Sequence, residues 1–480
     1  MTTTDRAAAA SNGLAQAEAR VESHSAALKK ELGVGDLALT QILFIVGLAW
    51  IGVAGKLGPA HVVFWLLAIV LFYLPSAAVV IYLNRLMPLE GGLYQWAKLG
   101  FNQTVGFLLA WNLWLYVIVF TSEVGLQCAT YLSYAIGPNA AWMTSSSWFV
   151  AISSAVILSL MVLTSTIGLS VGKWVHNTGG VFMITIFGAV VLLPAIGLLS
   201  GTLDAYHPLR THLPELSLYN LNILGKMGFG ALGGFEYMAI LAGETRAPAR
   251  SVTRSVFIAA PVIALMFVLG TSTVVAYVPN DSIDLIGPVA QVLRIGYGPF
   301  GVATPIVTIA ILMTLAMRVG QASVAFTAVA RLPMVAGWDQ MLPPWFSRLH
   351  PTYRTPVNSI ILVGVGQAEA FQLLFNASGI FYALTYAVMF AIPLFGLRGI
   401  RPGPPMWLRL ASLSGLLMTL LYVVLSVFPI IKVESVFAFA LKITSMIVAM
   451  NLVGIAILAT ARRRATASAA PPPPQSRGAA

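Results

Sequence analysis

Four ionisable side chains of this sequence stand inside long apolar stretches: Glu123, Glu236, Arg318 and Glu369. A charge in the core of a bilayer costs several kcal/mol unless it is paired or hydrated, so each of these side chains needs a partner. We expect Arg318 to pair with Glu123 or Glu236. Such a pair is either a permanent structural link between helices or a device in which a carboxylate takes up and releases a proton. Glu123, Glu236 and Arg318 are therefore the candidates for coupling or gating.

Two of the apolar stretches, residues 45–55 and 228–236, are interrupted by glycine. In lipid, an unwound helix is tolerated only where its freed amides and carbonyls face protein, water or a ligand, and a pair of such breaks indicates a central binding site. Close packing of helices is a different explanation for the glycines, since small residues are enriched at membrane helix interfaces. The candidate substrate-binding residues are Gly47, Trp50, Ile51, Gly52, Val53, Gly55, Phe229, Gly230, Gly233, Gly234 and Phe235.

The composition predicts an all-α integral membrane protein. Of the 480 residues, 58% are hydrophobic and 9% are charged, whereas soluble domains carry roughly a quarter of charged residues. Apolar runs long enough to cross the hydrocarbon core number about twelve when the glycine-broken stretches are included. They lie near residues 37–57, 60–85, 102–134, 147–169, 175–200, 221–243, 254–278, 301–330, 356–375, 379–398, 407–428 and 435–460.

The distribution of lysine and arginine predicts the orientation. Most basic residues fall in the amino-terminal tail and in alternate loops, which the positive-inside rule assigns to the cytoplasm. The basic residues expected on the opposite side are Lys56, Arg210, Lys226, Arg294, Lys432 and Lys442. We expect both termini in the cytoplasm, a plasma (inner) membrane location, and contact with membrane lipid. The net charge of +11 is spread over short loops rather than one patch, so no nucleic acid partner is expected.

Motifs for catalysis give no support for an enzyme. The sequence G-L-S-V-G at residues 168–172 matches a nucleophile pattern, but it lies at the end of a predicted membrane helix, without the strand that this chemistry requires. No phosphate-binding loop or H-E-x-x-H zinc motif occurs, and the only cysteine is Cys128. We therefore expect no cofactor and no metal site, and an ion gradient or exchange as the source of energy.

Three stretches resemble a known family. They read M-P-L-E-G-G-L-Y-Q-W at residues 87–96 with G-F-L-L-A-W-N at 106–112, G-G-F-E at 233–236 with E-T-R-A-P at 244–248, and residues 331–343 with H-P-T-Y-R-T-P at 350–356. In this order they are similar to the amino acid permeases of the amino acid-polyamine-organocation superfamily. The resemblance implies two inverted repeats of five helices each, in which helices one and six are broken, and a site lined also by helices three, eight and ten.

The same resemblance implies a domain organisation. A transporter core of ten helices occupies residues 31–400, and helices eleven and twelve follow in 401–462. The tails, residues 1–30 and 463–480, lack apolar residues to bury and are predicted to be disordered.

One departure from the family pattern concerns an aromatic gate in helix six. Many relatives place it six residues before the position of Glu236, where this sequence has Gly230. We expect the gate to come from Phe229, Trp50 or Phe235, unless these aromatics are ordinary packing residues. The lysine that some relatives use in helix five as a cation substitute has no counterpart at residues 182–184.

The function expected from these observations is secondary active transport of amino acids by alternating access, driven by a proton gradient or by exchange. The alternatives are a permease for amines, polyamines or nucleobases and, from another class, a ligand sensor that moves nothing or a channel. Exposed helix amino ends suit a carboxylate and exposed carbonyl ends suit an ammonium group, so a zwitterion fits two facing breaks. The sequence leaves the oligomeric state open.

Overall fold

Helices are the main secondary structure of the protein in the residues that the structure describes. The computed structural model describes residue 16 and residues 19–122, 124–207, 212, 217–285, 287–298, 304–339, 341–366, 371–397, 403–428 and 435–468. Within these ranges the only β-type pairing is an isolated parallel bridge between Leu32 and Thr245. The prediction of an all-α chain is confirmed to that extent.

The main helices of the described ranges are numbered α1 to α18. In chain order they are α1 (Val34–Ile45), α2 (Leu48–Gly55), α3 (Gly58–Leu86), α4 (Leu93–Gly100), α5 (Gln103–Ser122), α6 (Val124–Ile136), α7 (Ser147–Ile167), α8 (Leu169–Ser200), α9 (Leu218–Gly225), α10 (Glu236–Ile240), α11 (Pro248–Tyr277), α12 (Pro288–Tyr297), α13 (Thr304–Val329), α14 (Leu332–Trp338), α15 (Val357–Gly366), α16 (Phe371–Ala391), α17 (Met406–Ser426) and α18 (Val436–Ser468).

Nine helices in the described ranges are long and apolar enough to cross a membrane, and ten spans result if the bent pair α1 and α2 is counted as one. The protein is therefore an integral membrane protein. The prediction of about twelve spans counted two more. The predicted span at 221–243 is divided into the short helices α9 and α10, and the predicted span at 356–375 runs through residues 367–370, which lie outside the described ranges.

The first bent span lies inside the bundle. Helix α1 packs against α8, α11 and α13, while α5 packs against α16. Helices α7 and α18 lie at the periphery and expose apolar side chains such as Leu160 and Leu441, as lipid-facing helices do. The two broken segments are thereby shielded from lipid by other helices.

The two ends of the bundle differ in polarity. At the end where α1 begins, called the amino-terminal end below, the chain carries the described ion pairs Arg331–Glu244, Lys98–Asp339 and Lys173–Glu31. The opposite end is the one at which α17 ends and α18 begins. These two names are used for the ends throughout.

Candidate functional site

The first break separates α1 from α2 at Val46 and Gly47, where the helix axis bends by 43°. The carbonyl groups that the bend frees from the helix are satisfied from another helix. Gln321 of α13 donates from Nε2 to the carbonyl oxygens of Leu43 at 2.6 Å and Val46 at 2.9 Å. The break is therefore held open by a side chain and faces protein rather than lipid.

The second break lies between α9 and α10. A π-helical turn, Lys226–Ala231, follows α9, and Gly233 and Gly234 then leave the helical conformation before α10 begins. Gly234 has φ +139°, which only glycine adopts readily. Its N–H donates to the hydroxyl of Tyr386 at 2.6 Å, so α16 satisfies this break as α13 satisfies the first. A Cβ on Gly234 would lie 2.7 Å from Ile45, which shows that the two breaks are in contact.

Glu236, the first residue of α10, is completely buried beside this break. Its carboxylate accepts a hydrogen bond from the hydroxyl of Tyr382 on one oxygen and from that of Tyr386 on the other. The hydroxyl of Tyr386 thus accepts from Gly234 and donates to Glu236, and fixes the second break to α16.

A cavity of about 400 Å³ lies against both breaks. It reaches the opposite end of the bundle, where Ser426 of α17 and Phe439 of α18 line it. The rest of the wall comes from α1, α2, the π-helical turn, α5, α6, α13 and α16. The residues of this wall are Phe44, Ile45, Gly47, Ala49, Trp50, Val53, Tyr116, Phe120, Gln127, Lys226, Phe229, Gly230, Gly233, Arg318, Gln321, Ser378, Gly379, Tyr382, Tyr422 and Phe428.

A larger groove of about 640 Å³ runs between α3 and α11 on the surface of the bundle. Its wall is mostly aliphatic and aromatic, with exposed residues such as Leu74 and Phe257. Such a surface suits acyl chains rather than a polar solute. The cavity at the two breaks is the one with convergent polar groups, which is the pattern of a binding site.

The cavity carries two cationic side chains. Arg318 donates from Nε to Oε1 of Gln127 at 3.0 Å and from Nη1 to Gln321, so the same glutamine connects it to the first break. Lys226 places Nζ 5.8 Å from the ring centroid of Tyr422. No aspartate or glutamate belongs to the described wall, because Glu236 lies behind Tyr382 and Tyr386.

The structure brings six of the eleven predicted binding residues to the cavity wall and places five elsewhere. Gly47, Trp50, Val53, Phe229, Gly230 and Gly233 line the cavity. Gly52 faces Pro288 of α12, Gly55 faces Ile283, and Ile51 packs near Gly270 of α11. Phe235 stacks on Tyr73 with ring centroids 4.8 Å apart, and Gly234 lies against Phe44 and Ile45. For Gly52 and Gly55 the close-packing explanation therefore fits the structure.

Trp50 occupies the space beside Gly230. A Cβ on Gly230 would lie 2.7 Å from Cη2 of Trp50, so the absence of a side chain in helix six makes room for the indole from α2. Phe229 is buried and packs against Tyr382, Tyr386 and Tyr422. Of the three aromatics considered for a gate, Trp50 is the one that is partly exposed within the cavity wall.

Of the two carboxylates considered as partners of Arg318, Glu236 does not pair with it. Arg318 bonds to Gln127 and Gln321, and both oxygens of Glu236 are engaged by tyrosine hydroxyls. Tyrosine and glutamine can satisfy a buried ionisable group in place of an opposite charge, since a hydrogen bond to an ion is stronger than one between neutral groups. Glu123 and Glu369, which the sequence also singled out, lie outside the described residues.

Sequence reasoning missed several polar residues of the site: Lys226, Gln127, Gln321, Tyr382 and Tyr386. Lys226 was counted among the basic residues of the opposite side and not as a site residue, and it lies in the sixth segment, four residues before Gly230. That spacing was the available signal, because residues four apart share one side of a helix. The tyrosines and glutamines had none, since they belong to helices distant in sequence.

The amino-terminal end of the site is closed. Arg331 donates from Nε to Oε1 of Glu244 at 2.8 Å, and the backbone of Leu32 pairs with that of Glu244 and Arg246. Glu90, buried beside them in the loop before α4, accepts a hydrogen bond from the N–H of Gly243. Burial and the neighbouring Glu244 carboxylate raise the pKa of Glu90 to about 8, despite the opposing effect of Arg331.

A second contact layer closes the same end. Asp339 accepts hydrogen bonds from the hydroxyl of Tyr94 at 2.6 Å and from the ammonium group of Lys98, which joins α4 to the segment after α14. Burial, and then the Asp339 charge, raise the pKa of Tyr94, so this phenol stays protonated. The cavity is thus closed by polar contacts toward the amino-terminal end and extends to the opposite end.

The sequence of this chain is similar to those of known membrane transport proteins. A sequence model of the family described as amino acid permease matches residues 32–460. An uncharacterized transporter of Legionella pneumophila is 26% identical over 346 residues, which cover 70% of this chain and 72% of that protein. A probable agmatine/putrescine antiporter of Lactococcus lactis is 20% identical over 374 residues, 75% and 78% of the two chains. A low-affinity putrescine importer of Escherichia coli is 26% identical over 294 residues, 59% and 60% of the two chains.

These similarities confirm the resemblance seen in the sequence motifs. The relatives are transporters, and the match begins just before α1 and ends within α18. Because the matched region covers nearly the whole helical bundle, the chain belongs to the amino acid permease family.

Proposed function

We propose that this protein is a secondary transporter of amino acids that works by alternating access. The observation that carries the proposal is that the two broken segments, 34–55 and 218–240, meet at one cavity inside the bundle. Interrupted helices at a shared cavity are how secondary transporters of several folds bind their solutes. Two inverted repeats of five helices within a twelve-span bundle would place breaks in the first and sixth spans.

The chemistry of the breaks suits a zwitterion. Helix α2 begins at Leu48, next to Gly47 in the cavity wall, and a carboxylate near the amino end of a helix gains from the helix dipole. The carbonyl groups around Gly233 offer acceptors for an ammonium group. Glu236 keeps its charge away from the cavity under two tyrosines, so it shapes the second break without itself contacting the solute.

Alternating access requires two ends that open in turn. The cavity reaches the opposite end of the bundle, while hydrogen bonds and ion pairs close the amino-terminal end. We assign the closed end to the cytoplasm, because the basic loops lie there. Both termini then lie on the cytoplasmic side of the plasma (inner) membrane. In this assignment the structure represents a state closed toward the cytoplasm.

The source of energy in the proposal is a proton gradient or exchange. Glu236, Glu123 and Arg318 remain the candidates for coupling, with Glu236 favoured by its position between the second break and α16. A proton on Glu236 would change its hydrogen bonds to Tyr382 and Tyr386, and so the contact between the two elements that line the cavity.

Transport of an amine is the second candidate, because two relatives are named for putrescine or agmatine. The cavity favours an amino acid over a diamine, since its described wall carries Lys226 and Arg318 and no carboxylate. A sensor and a channel are the candidates from other classes.

Uptake and counterflow in proteoliposomes separate these functions. The purified protein is reconstituted with one unlabelled amino acid inside, and accumulation of the same labelled amino acid is followed. A transporter gives saturable uptake that the internal amino acid accelerates. Binding without counterflow indicates a sensor, linear flux without acceleration indicates a channel, and counterflow of putrescine alone indicates an amine carrier.

A further inference from the structure

Lys226 points its charge into the substrate cavity from the second broken segment. It lies in the π-helical turn, and Phe229, Gly230 and Gly233 follow it in the same cavity wall. The ammonium group lies over the ring of Tyr422, 5.8 Å from the centroid, toward the end from which the cavity is approached. Burial of a lysine in an apolar membrane segment costs free energy, so a lysine in such a place indicates a functional site.

Arg318 brings a second positive charge to the cavity wall from α13. Its guanidinium group is held by Gln127 and by Gln321, the residue that also satisfies the first break. The contacts are to neutral amides, so they orient the arginine without neutralising it. Lys226 and Arg318 therefore stand at two different places on the wall of one cavity of about 400 Å³.

No carboxylate neutralises these cations in the part of the chain that the structure describes. The ion pairs there use Lys98, Lys173 and Arg331, all at the closed end. Glu236, beside the second break, is completely buried and has both oxygens engaged by tyrosines. The described wall of the cavity thus contributes two formal positive charges, from Lys226 and Arg318, which attract a carboxylate of a bound solute.

We propose that the protein selects acidic amino acids, with Lys226 binding the side-chain carboxylate and the first break with Arg318 receiving the α-carboxylate. The inference rests on the proposed transport function and specifies its substrate class. The side-chain carboxylate of glutamate would form a charge-assisted hydrogen bond with Lys226. The side-chain amide of glutamine has the same shape but would form a weaker one. A diamine would bring like charges together in the same cavity.

The test compares the isosteric solutes glutamate and glutamine, and a diamine, in proteoliposomes. Counterflow is measured for glutamate, glutamine and putrescine with the wild type and with the variants Lys226→Gln and Lys226→Arg. The wild type is expected to prefer glutamate over glutamine by about tenfold or more in kcat/KM. Lys226→Gln is expected to reduce this ratio to near one, and Lys226→Arg is expected to retain the preference.

Lys442→Gln is the matched control, because Lys442 is an exposed lysine of the peripheral helix α18. It is expected to leave the glutamate preference unchanged. Equal transport of glutamate and glutamine by the wild type, or an unchanged preference in Lys226→Gln, would overturn the inference while transport itself stands. If none of a panel of amino acids shows counterflow, the proposed function fails instead.

Discussion

The side-chain amide of Gln321 donates to the carbonyl oxygens of Leu43 at 2.6 Å and Val46 at 2.9 Å. One residue of α13 therefore satisfies both groups at the first break, and its amide oxygen accepts from Arg318. Tyr386 of α16 has the equivalent position at the second break, between Gly234 and Glu236. Each break is thus hydrogen-bonded to one helix of the surrounding bundle. A movement of that helix would therefore displace the break and the cavity wall beside it.

Replacement of Gln321 tests the first tie. Gln321→Met leaves the two buried carbonyl groups without a donor, which costs about 1–3 kcal/mol for a buried group left unsatisfied. We expect a lower melting temperature of the purified protein and a higher KM for counterflow. Gln321→Glu keeps an acceptor for Arg318 but loses the amide donor, so it should be impaired as well. Wild-type behaviour of Gln321→Glu would show that the contact to Arg318, and not the break, requires this residue.

Replacement of the two tyrosines tests the second tie. Tyr386→Phe removes the acceptor of the Gly234 N–H and one donor to Glu236, whereas Tyr382→Phe removes only a donor to Glu236. We expect Tyr386→Phe to lower the free energy of unfolding by about 1–3 kcal/mol and to do so more than Tyr382→Phe. Thermal unfolding in detergent measures the difference. A larger effect of Tyr382→Phe would contradict the bridging role of Tyr386.

The contact between Trp50 and Gly230 predicts a double-variant effect. Gly230→Leu fills the space that the indole occupies and displaces it, at a cost of about 1–3 kcal/mol for overpacking. We expect KM for counterflow to rise roughly tenfold. In a Trp50→Ala background the same change should have a smaller effect, because the two side chains compete for one space.

Gly188→Leu is the control for that pair. Gly188 is exposed on α8, and a Cβ there would meet no atom within 4 Å. Its substitution should leave KM unchanged. Additive effects of Trp50→Ala and Gly230→Leu would show that the indole does not depend on the glycine.

The buried carboxyl group of Glu90 predicts a pH dependence of stability. Its pKa is raised from the ordinary 4.5 to about 8, so between these values the folded state holds a proton that the unfolded state has lost. The stabilisation is complete below pH 4.5 and is lost as the pH rises to about 8. The groups that act on Glu90 are Glu244, Arg331 and Lys30.

Glu90→Gln replaces the protonated carboxyl by a neutral group of the same shape. We expect the melting temperature of this variant to exceed that of the wild type by an amount that grows from pH 5 to pH 8. Asp204→Asn, at an exposed acidic residue, serves as the control for general charge effects. A difference between Glu90→Gln and wild type that does not change with pH would contradict the protonated state.

The membrane helices and the two breaks were predictable from the sequence for a physical reason. A run of apolar residues and a glycine cluster are local signals, since hydrophobic length and backbone freedom depend on the segment itself. The same local signal also included Gly52 and Gly55, which the structure places against Pro288 and Ile283 and not in the cavity wall. The sequence does not distinguish a glycine that packs against a helix from one that faces a ligand.

The partners of the breaks were not predictable. Gln321 and Tyr386 contact residues more than 150 positions away, and only the packing of α13 and α16 brings them there. Lys226 was not predicted as a site residue, because a charge near the end of an apolar run resembles a charge at the membrane surface. The π-helical turn extends the sixth segment around it and directs the side chain to the cavity wall.

Protection of a single thiol against alkylation tests most directly whether the solute binds between the two breaks. Cys128 is the only cysteine, so Cys128→Ser gives a background in which Ser378→Cys places one thiol in the cavity wall and Ser435→Cys places one on the exposed surface. The amino acid that supports counterflow should slow alkylation of Ser378→Cys several-fold and leave that of Ser435→Cys unchanged. Equal alkylation of Ser378→Cys with and without that amino acid would contradict a substrate site at this cavity.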